Sequence, residues 1–272
     1  MNAVIKRLIL GAAFLCSGVG QAAVVPADGL TFFNGSLLNA TATWSFSRNL
    51  TYALQTPGAS DIGVYGGAWK EIIYYPTVDE FGEPDVYARH VVHTPVSTLD
   101  VDDATGALRA ATASGGTKWV FSKATSIKIA GGQAEIGELD VRFQADGSAN
   151  IFGSISGQAL GATSSVSYTG LLFTVQAGDV EGSISLAGQP GGNLQATLHN
   201  LVLSEGGFSA LTESFGAHQS GLMYTALKYV QNDFGDLTLN VNAIPAIPEP
   251  STGALLMVGL FCLVGLRRRS SN

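Results

Sequence analysis

Cysteine is nearly missing from this chain: of 272 residues only Cys16 and Cys262 are cysteines, and both lie in apolar terminal segments. The body between them has no thiol for a disulfide, a thiolate metal site or a cysteine nucleophile, so burial and backbone hydrogen bonds must hold it together. Charge is scarce as well, at 13% of residues, which argues against helices laced with ion pairs. The basic residues are poorly placed for binding anions. Lys6, Arg7, Arg267, Arg268 and Arg269 account for five of the 14 and sit at the extreme ends; nine basic residues then face 21 acidic ones, a net charge of −12 in the interior. An acidic body repels phosphate backbones, which argues against nucleic acid as a partner. Neither Gly-x-Ser-x-Gly nor His-Glu-x-x-His occurs, and no strict repeat period emerges.

Glycine, by contrast, is abundant, at 34 residues. Turn-forming clusters recur at Asp102-Asp103-Ala104-Thr105-Gly106, Ala130-Gly131-Gly132, Ala145-Asp146-Gly147-Ser148, 188–192 and 204–207. Between them the chain alternates apolar and polar residues, most cleanly in Glu138-Leu139-Asp140-Val141-Arg142-Phe143 and Asn193-Leu194-Gln195-Ala196-Thr197-Leu198. Thr41 to Ser47 alternates too, with Trp44 and Phe46 facing inward. Short strands with such turns predict an all-β domain over 24–242, an antiparallel β-sandwich or barrel-like sheet pair. Phe208, Leu211, Phe215, Leu222, Ala226, Leu227 and Val230 are spaced for helical turns, predicting one short helix near 208–231. A proline-rich linker is expected over 243–252.

Candidate chemistry is thin. His90 and His93 would share a helix face but lie on opposite faces of a strand, and their β-branched neighbours favour the strand, so no metal is assigned to them. His199 and His218 have no acidic or cysteine partner at a recognisable spacing. Asp100, Asp102 and Asp103 fail the calcium-loop template, with Thr105 where glycine and Ala111 where glutamate are needed, and fit a hairpin turn instead. No catalytic residue, metal or cofactor is assigned, and the chain is not expected to be an enzyme. The densest aromatic stretch holds Trp69, Tyr74 and Tyr75, with Tyr65 and Tyr87 nearby. Aromatic faces stack on sugar rings, which makes Trp69, Tyr74 and Tyr75 candidate glycan contacts.

Both ends look like targeting segments. Residues 1–23 combine Lys6 and Arg7, an apolar run of about a dozen residues and small residues Gly20 and Ala22 before a cleavage site, the pattern of a signal peptide removed by signal peptidase. At the other end Pro248, Glu249 and Pro250 precede an apolar run within 253–272, expected to form a hydrophobic transmembrane sorting helix, that closes on the basic tail of Arg267, Arg268 and Arg269. The prolines keep that stretch extended, and the arginines hold the tail on the cytoplasmic side of the inner membrane. This tripartite ending, about the last 25 residues, resembles the PEP-CTERM sorting signal. The resemblance implies that exosortase, a membrane transpeptidase of exopolysaccharide-producing Gram-negative bacteria, reads Pro248, Glu249 and Pro250 and processes the chain there. It further implies transient anchoring in the inner membrane, then delivery to the cell surface or extracellular matrix. The expected role is a structural component of biofilm or envelope, with exopolysaccharide as a potential partner. A carbohydrate-binding module is the alternative; a secreted hydrolase would need a cleft of converging carboxylates.

Overall fold

The computed structural model describes residues 31–33, 36–55, 59–78, 84–187 and 192–245. In chain order the elements are β1 (Thr31–Phe33), β2 (Ser36–Ser45), α1 (Arg48–Gln55), β3 (Ala59–Tyr65), β4 (Trp69–Val78), β5 (Pro84–Val101), β6 (Leu108–Ala113) and β7 (Gly116–Phe121). There follow β8 (Gly132–Phe143), β9 (Ala149–Ala159), β10 (Val166–Val175), β11 (Val180–Gly182), β12 (Leu194–Leu198), β13 (Val202–Leu203), α2 (Glu205–Ser214), α3 (Leu222–Val230) and β14 (Asp236–Pro245).

All strand pairings are antiparallel, and two sheets share one long strand. The first runs β11-β12-β14-β2-β5-β4, with β1 beside the start of β2; the second runs β5-β6-β8-β9-β10-β13, with β7 and β3 added at the first half of β8. β5 pairs with β2 over 91–95 and passes to β6 from Val96, through register shifts at Val96/Thr98 and Asp100/Val101. Such irregularities bend a strand and let it change sheets. Among the described residues the path does not close. β11 and β4 edge the first sheet, and β13 and β3 the second.

The inner faces meet in an aromatic core. Trp44 of β2 lies 5.5 Å from Phe173 of β10 and 6.4 Å from Trp119 of β7, while Phe234 lies 5.7 Å from Phe173 and 6.4 Å from Trp119. All four are buried. Contact between rings from both sheets makes this a sandwich, with Trp44 and Phe46 inward as the alternation predicts.

Helical structure is more extensive than expected. Two helices, not one, occupy the 208–231 region, because Gly216 (φ +56°) stops α2: Gly216 N–H donates to Glu213 O at 3.0 Å and Ala217 N–H to Thr212 O at 2.9 Å, a Schellman end. The 204–207 cluster is no turn. Ser204 caps α2, its hydroxyl accepting from Gly207 N–H at 3.1 Å. Residues 48–55 add a helix that is not predicted from sequence: Ser47 accepts from Leu50 N–H at 2.9 Å, and α1 then buries Leu50, Ala53 and Leu54.

Other boundaries also move. Residues 59–65, between turn-forming glycines, are β3, and among the described residues of 58–67 the turn falls at Gly66 and Gly67. β4 continues through Pro76, which an edge strand tolerates. β14 runs to Pro245, paired with Ser36, three residues into the stretch read as linker. The Asp102 to Gly106 and Ala145 to Ser148 turns are present, with Gly106 and Gly147 at positive φ. Asp102 accepts from Ala104 and Thr105 N–H at 2.9 Å each, and these bonds, Thr105 foremost, hold its carboxyl below the usual range. The signal segment 1–23, the acidic stretch 79–83, the 188–191 part of a turn cluster and everything from 246 on lie outside the described residues.

Candidate functional site

Register places the outward residues of the first sheet in rows. One row runs Thr197–Thr238–Thr43–His93–Trp69 across β12, β14, β2, β5 and β4. The next is Gln195–Asn240–Thr41, and beyond it Asn242 faces Asn39. On β12, β14, β2 and β5 these side chains alternate with buried neighbours, such as Leu239 beside Asn240 and Ala42 beside Thr43. The face is therefore short-chained and uncharged over 195–197 of β12, 238–242 of β14 and 39–43 of β2. Ser183, Asn193, Leu194, Gln195, Asn240 and Asn242 border a depression of about 440 Å³ on it.

The row ends on an aromatic pair. Trp69, 54% exposed, stacks on His93 with ring centroids 3.7 Å apart and planes 11° from parallel. His93 is fixed in turn: Nδ1 lies 3.0 Å from Thr43 Oγ1 and Nε2 3.3 Å from Glu71 Oε1. Period two separates the three predicted glycan contacts. Trp69 and Tyr75 share the outer face, but Tyr74, five residues from Trp69, points to the opposite one. Tyr75 stacks on Tyr87 at 5.5 Å, and Tyr87 on Tyr52 at 6.5 Å, with Arg48 over both Tyr52 and Tyr87 at 5.4 Å.

Charged groups gather at one end of this face. His199 Nδ1 lies 3.1 Å from Asp236 Oδ1 and Nε2 2.9 Å from Glu181 Oε2, while Arg89 donates to Asp236 at 2.8 Å. Burial opposes the charge on His199, but the two carboxylates outweigh it and raise the pKa. His90 is the reverse case. It faces inward, 6.1 Å from Phe46, its Nδ1 has no hydrogen-bond partner among the described residues, and desolvation, aided by Lys70, lowers its pKa.

These signs give opposite pH slopes. His90 lets stability fall as pH drops below about 6.5, because the unfolded chain takes a proton that the fold resists. His199 stabilises below that pH and loses its contribution as pH rises through its raised folded value. Urea midpoints between about pH 5 and 8 should fall less steeply on the acid side for His90→Leu, and show a deficit for His199→Gln that shrinks as pH rises. Curves parallel to wild type would contradict both assignments.

His90 and His93 lie on opposite faces of β5, and among the described residues no group of three or more His, Cys, Asp or Glu is arranged to hold a metal ion. Ser220 comes nearest to a nucleophile constellation, 2.8 Å from Lys128 Nζ and 3.0 Å from His218 Nδ1. Yet Ser220 N–H also donates to His218 Nδ1 at 3.2 Å, so the group is a two-residue turn on the exposed surface.

Pro248, Glu249, Pro250, Arg267, Arg268 and Arg269 fall outside the described residues, and sequence decides their reading. Residues 246–269 match the model of the PEP-CTERM protein-sorting motif. This chain carries a PEP-CTERM signal. A PEP-CTERM signal implies an exported protein that exosortase processes at the membrane, then release toward the cell surface. The match covers the tail and leaves the sandwich unassigned; no curated protein and no solved structure matches the chain. Among the described residues no helix is long and apolar enough to cross a membrane.

Sequence reasoning missed the amide and hydroxyl rows. The polar half of the alternation was visible on β2 and β12 separately. Bringing residues 41, 195 and 240 together required the strand order.

Proposed function

We infer that the protein is a non-catalytic structural component of the cell surface or extracellular matrix, with signal peptidase removing 1–23 and exosortase processing the chain near Pro248-Glu249-Pro250. The observation that carries this reading is the sorting motif at 246–269, joined to a body built as an open sandwich. Two of its four histidines also support this reading. Both ring nitrogens of His199 are engaged by carboxylates, and both of His93 by Glu71 and Thr43, so neither imidazole presents a nitrogen to a substrate proton.

The test is fractionation. In wild-type cells the protein is expected in the matrix or outer-surface fraction, and in cells without exosortase in the inner-membrane fraction. Replacing Pro248, Glu249 and Pro250 with alanine should reproduce the exosortase-deficient distribution. Matrix delivery unchanged in both backgrounds would overturn the reading.

A further inference from the structure

We propose that the outer face of the first sheet, from the depression at Gln195 and Asn240 to Trp69, is a binding platform for an uncharged polysaccharide. This deepens the matrix reading and rests on it for where the protein meets such a polymer.

An outward sheet face is normally polar. The second sheet carries paired charges on β7 and β8, Lys118 with Glu135 at 3.0 Å and Arg142 with Asp140 at 2.6 Å, and is uncharged on β9 and β10, where Ser154 faces Thr169 and Ser156 faces Ser167. The first sheet is likewise free of charge on β12, β14 and β2 between residues 39 and 43, 195 and 197, and 238 and 242, and there amides join the hydroxyls between a depression and an exposed indole. Each carboxamide both donates and accepts hydrogen bonds, and each threonine hydroxyl does likewise. That chemistry matches a polymer of neutral hydroxyl groups.

Other partners fit less well. A protein partner needs an apolar or aromatic centre, and the centre of this face is Thr, Asn and Gln. A polyanion meets Glu181 and Asp236 at one border and Glu71 near Trp69, with Arg89 already committed to Asp236. At the end of the long row, Trp69, 54% exposed, stands against His93 with its other ring face turned off the β4 edge, where a polymer that crosses the row and passes over the rim meets it. A sugar ring's C–H face packs on such a surface. From β12 to β4 is four strand spacings, roughly 19 Å, room for several sugar units.

Affinity electrophoresis of the full-length chain, purified in mild detergent, through gels containing hydroxyethylcellulose, galactomannan or alginate tests the proposal. Retardation is expected by a neutral polymer and not by alginate. Trp69→Ala and the pair Gln195→Ala with Asn240→Ala should each weaken it by roughly tenfold. Tyr74→Ala, on the opposite face, should leave it unchanged, and circular dichroism should show all variants folded.

Retardation by alginate alone, by none of the three, or equally in wild type and the Trp69 and amide variants would overturn the proposal. Because the assay uses purified protein, a failure here with normal delivery to the matrix counts against the platform alone. Binding by a protein that cells never process counts against the matrix reading instead.

Discussion

Trp119→Ala is expected to lower the unfolding free energy by about 3–5 kcal/mol, a large part of the ~5–15 kcal/mol that holds a domain folded. Trp119 is fully buried and sits where the sheets meet, its ring 5.7 Å from Phe46 and within 6.4 Å of Trp44 and Phe234. Its indole N–H donates to Thr117 Oγ1 at 3.0 Å, and Thr117 donates to Gly63 O at 3.2 Å. Truncation therefore opens a cavity between elements that cannot collapse independently, and leaves a buried hydroxyl with one partner fewer. Urea denaturation followed by far-ultraviolet circular dichroism measures the effect. A loss below about 1 kcal/mol, the size of a surface change, would mean that the rings do not form a shared core.

Gly137→Val should be more damaging still and leave little folded protein. Gly137 faces Gly116 across β8 and β7, and a Cβ at 137 would fall 2.2 Å from Gly115 O and 2.5 Å from the Tyr65 hydroxyl. The first clash is with backbone, so no rotamer relieves it. It also falls beside the irregularity of β8 at Gly137/Asp140, where Glu138 has φ +53°, donates its N–H to Gly115 O at 3.0 Å and accepts from Gly115 N–H at 3.0 Å. Splaying β7 from β8 there would break both bonds. Gly178→Ala is the control, since a Cβ at 178 meets nothing within 4 Å among the described residues. Soluble, folded Gly137→Val with a midpoint near wild type would show that the three strands do not approach this closely.

The inward half of the fold was legible because the hydrophobic period states it directly: Trp44, Leu194, Ala196, Leu198, Leu139 and Val141 are buried as their alternation requires. The helices were harder. α1 has eight residues, too short for periodicity to outweigh the strand-like Thr and Trp before it, and Gly216 cuts what reads as one helical stretch into two. The fused β5 was hidden because Pro95 looks like a strand end, whereas in the fold β5 passes through it and changes partner with a register shift near Val96. Of the candidate site, Trp69 was visible as an exposed aromatic, and its parity with Tyr75 but not Tyr74 follows once β4 is a strand. The platform beside it was not visible, since β12, β14 and β2 come from distant parts of the chain and are neighbours only through the fold.

The sorting motif is the reverse case, read wholly from sequence, and one measurement tests it most directly: mass spectrometry of the mature C-terminus in cells with and without exosortase. Processing predicts a last peptide ending near Pro250 in wild-type cells, and a chain extending through Arg269 where exosortase is missing. Wild-type protein that still carries Arg267, Arg268 and Arg269 would contradict it.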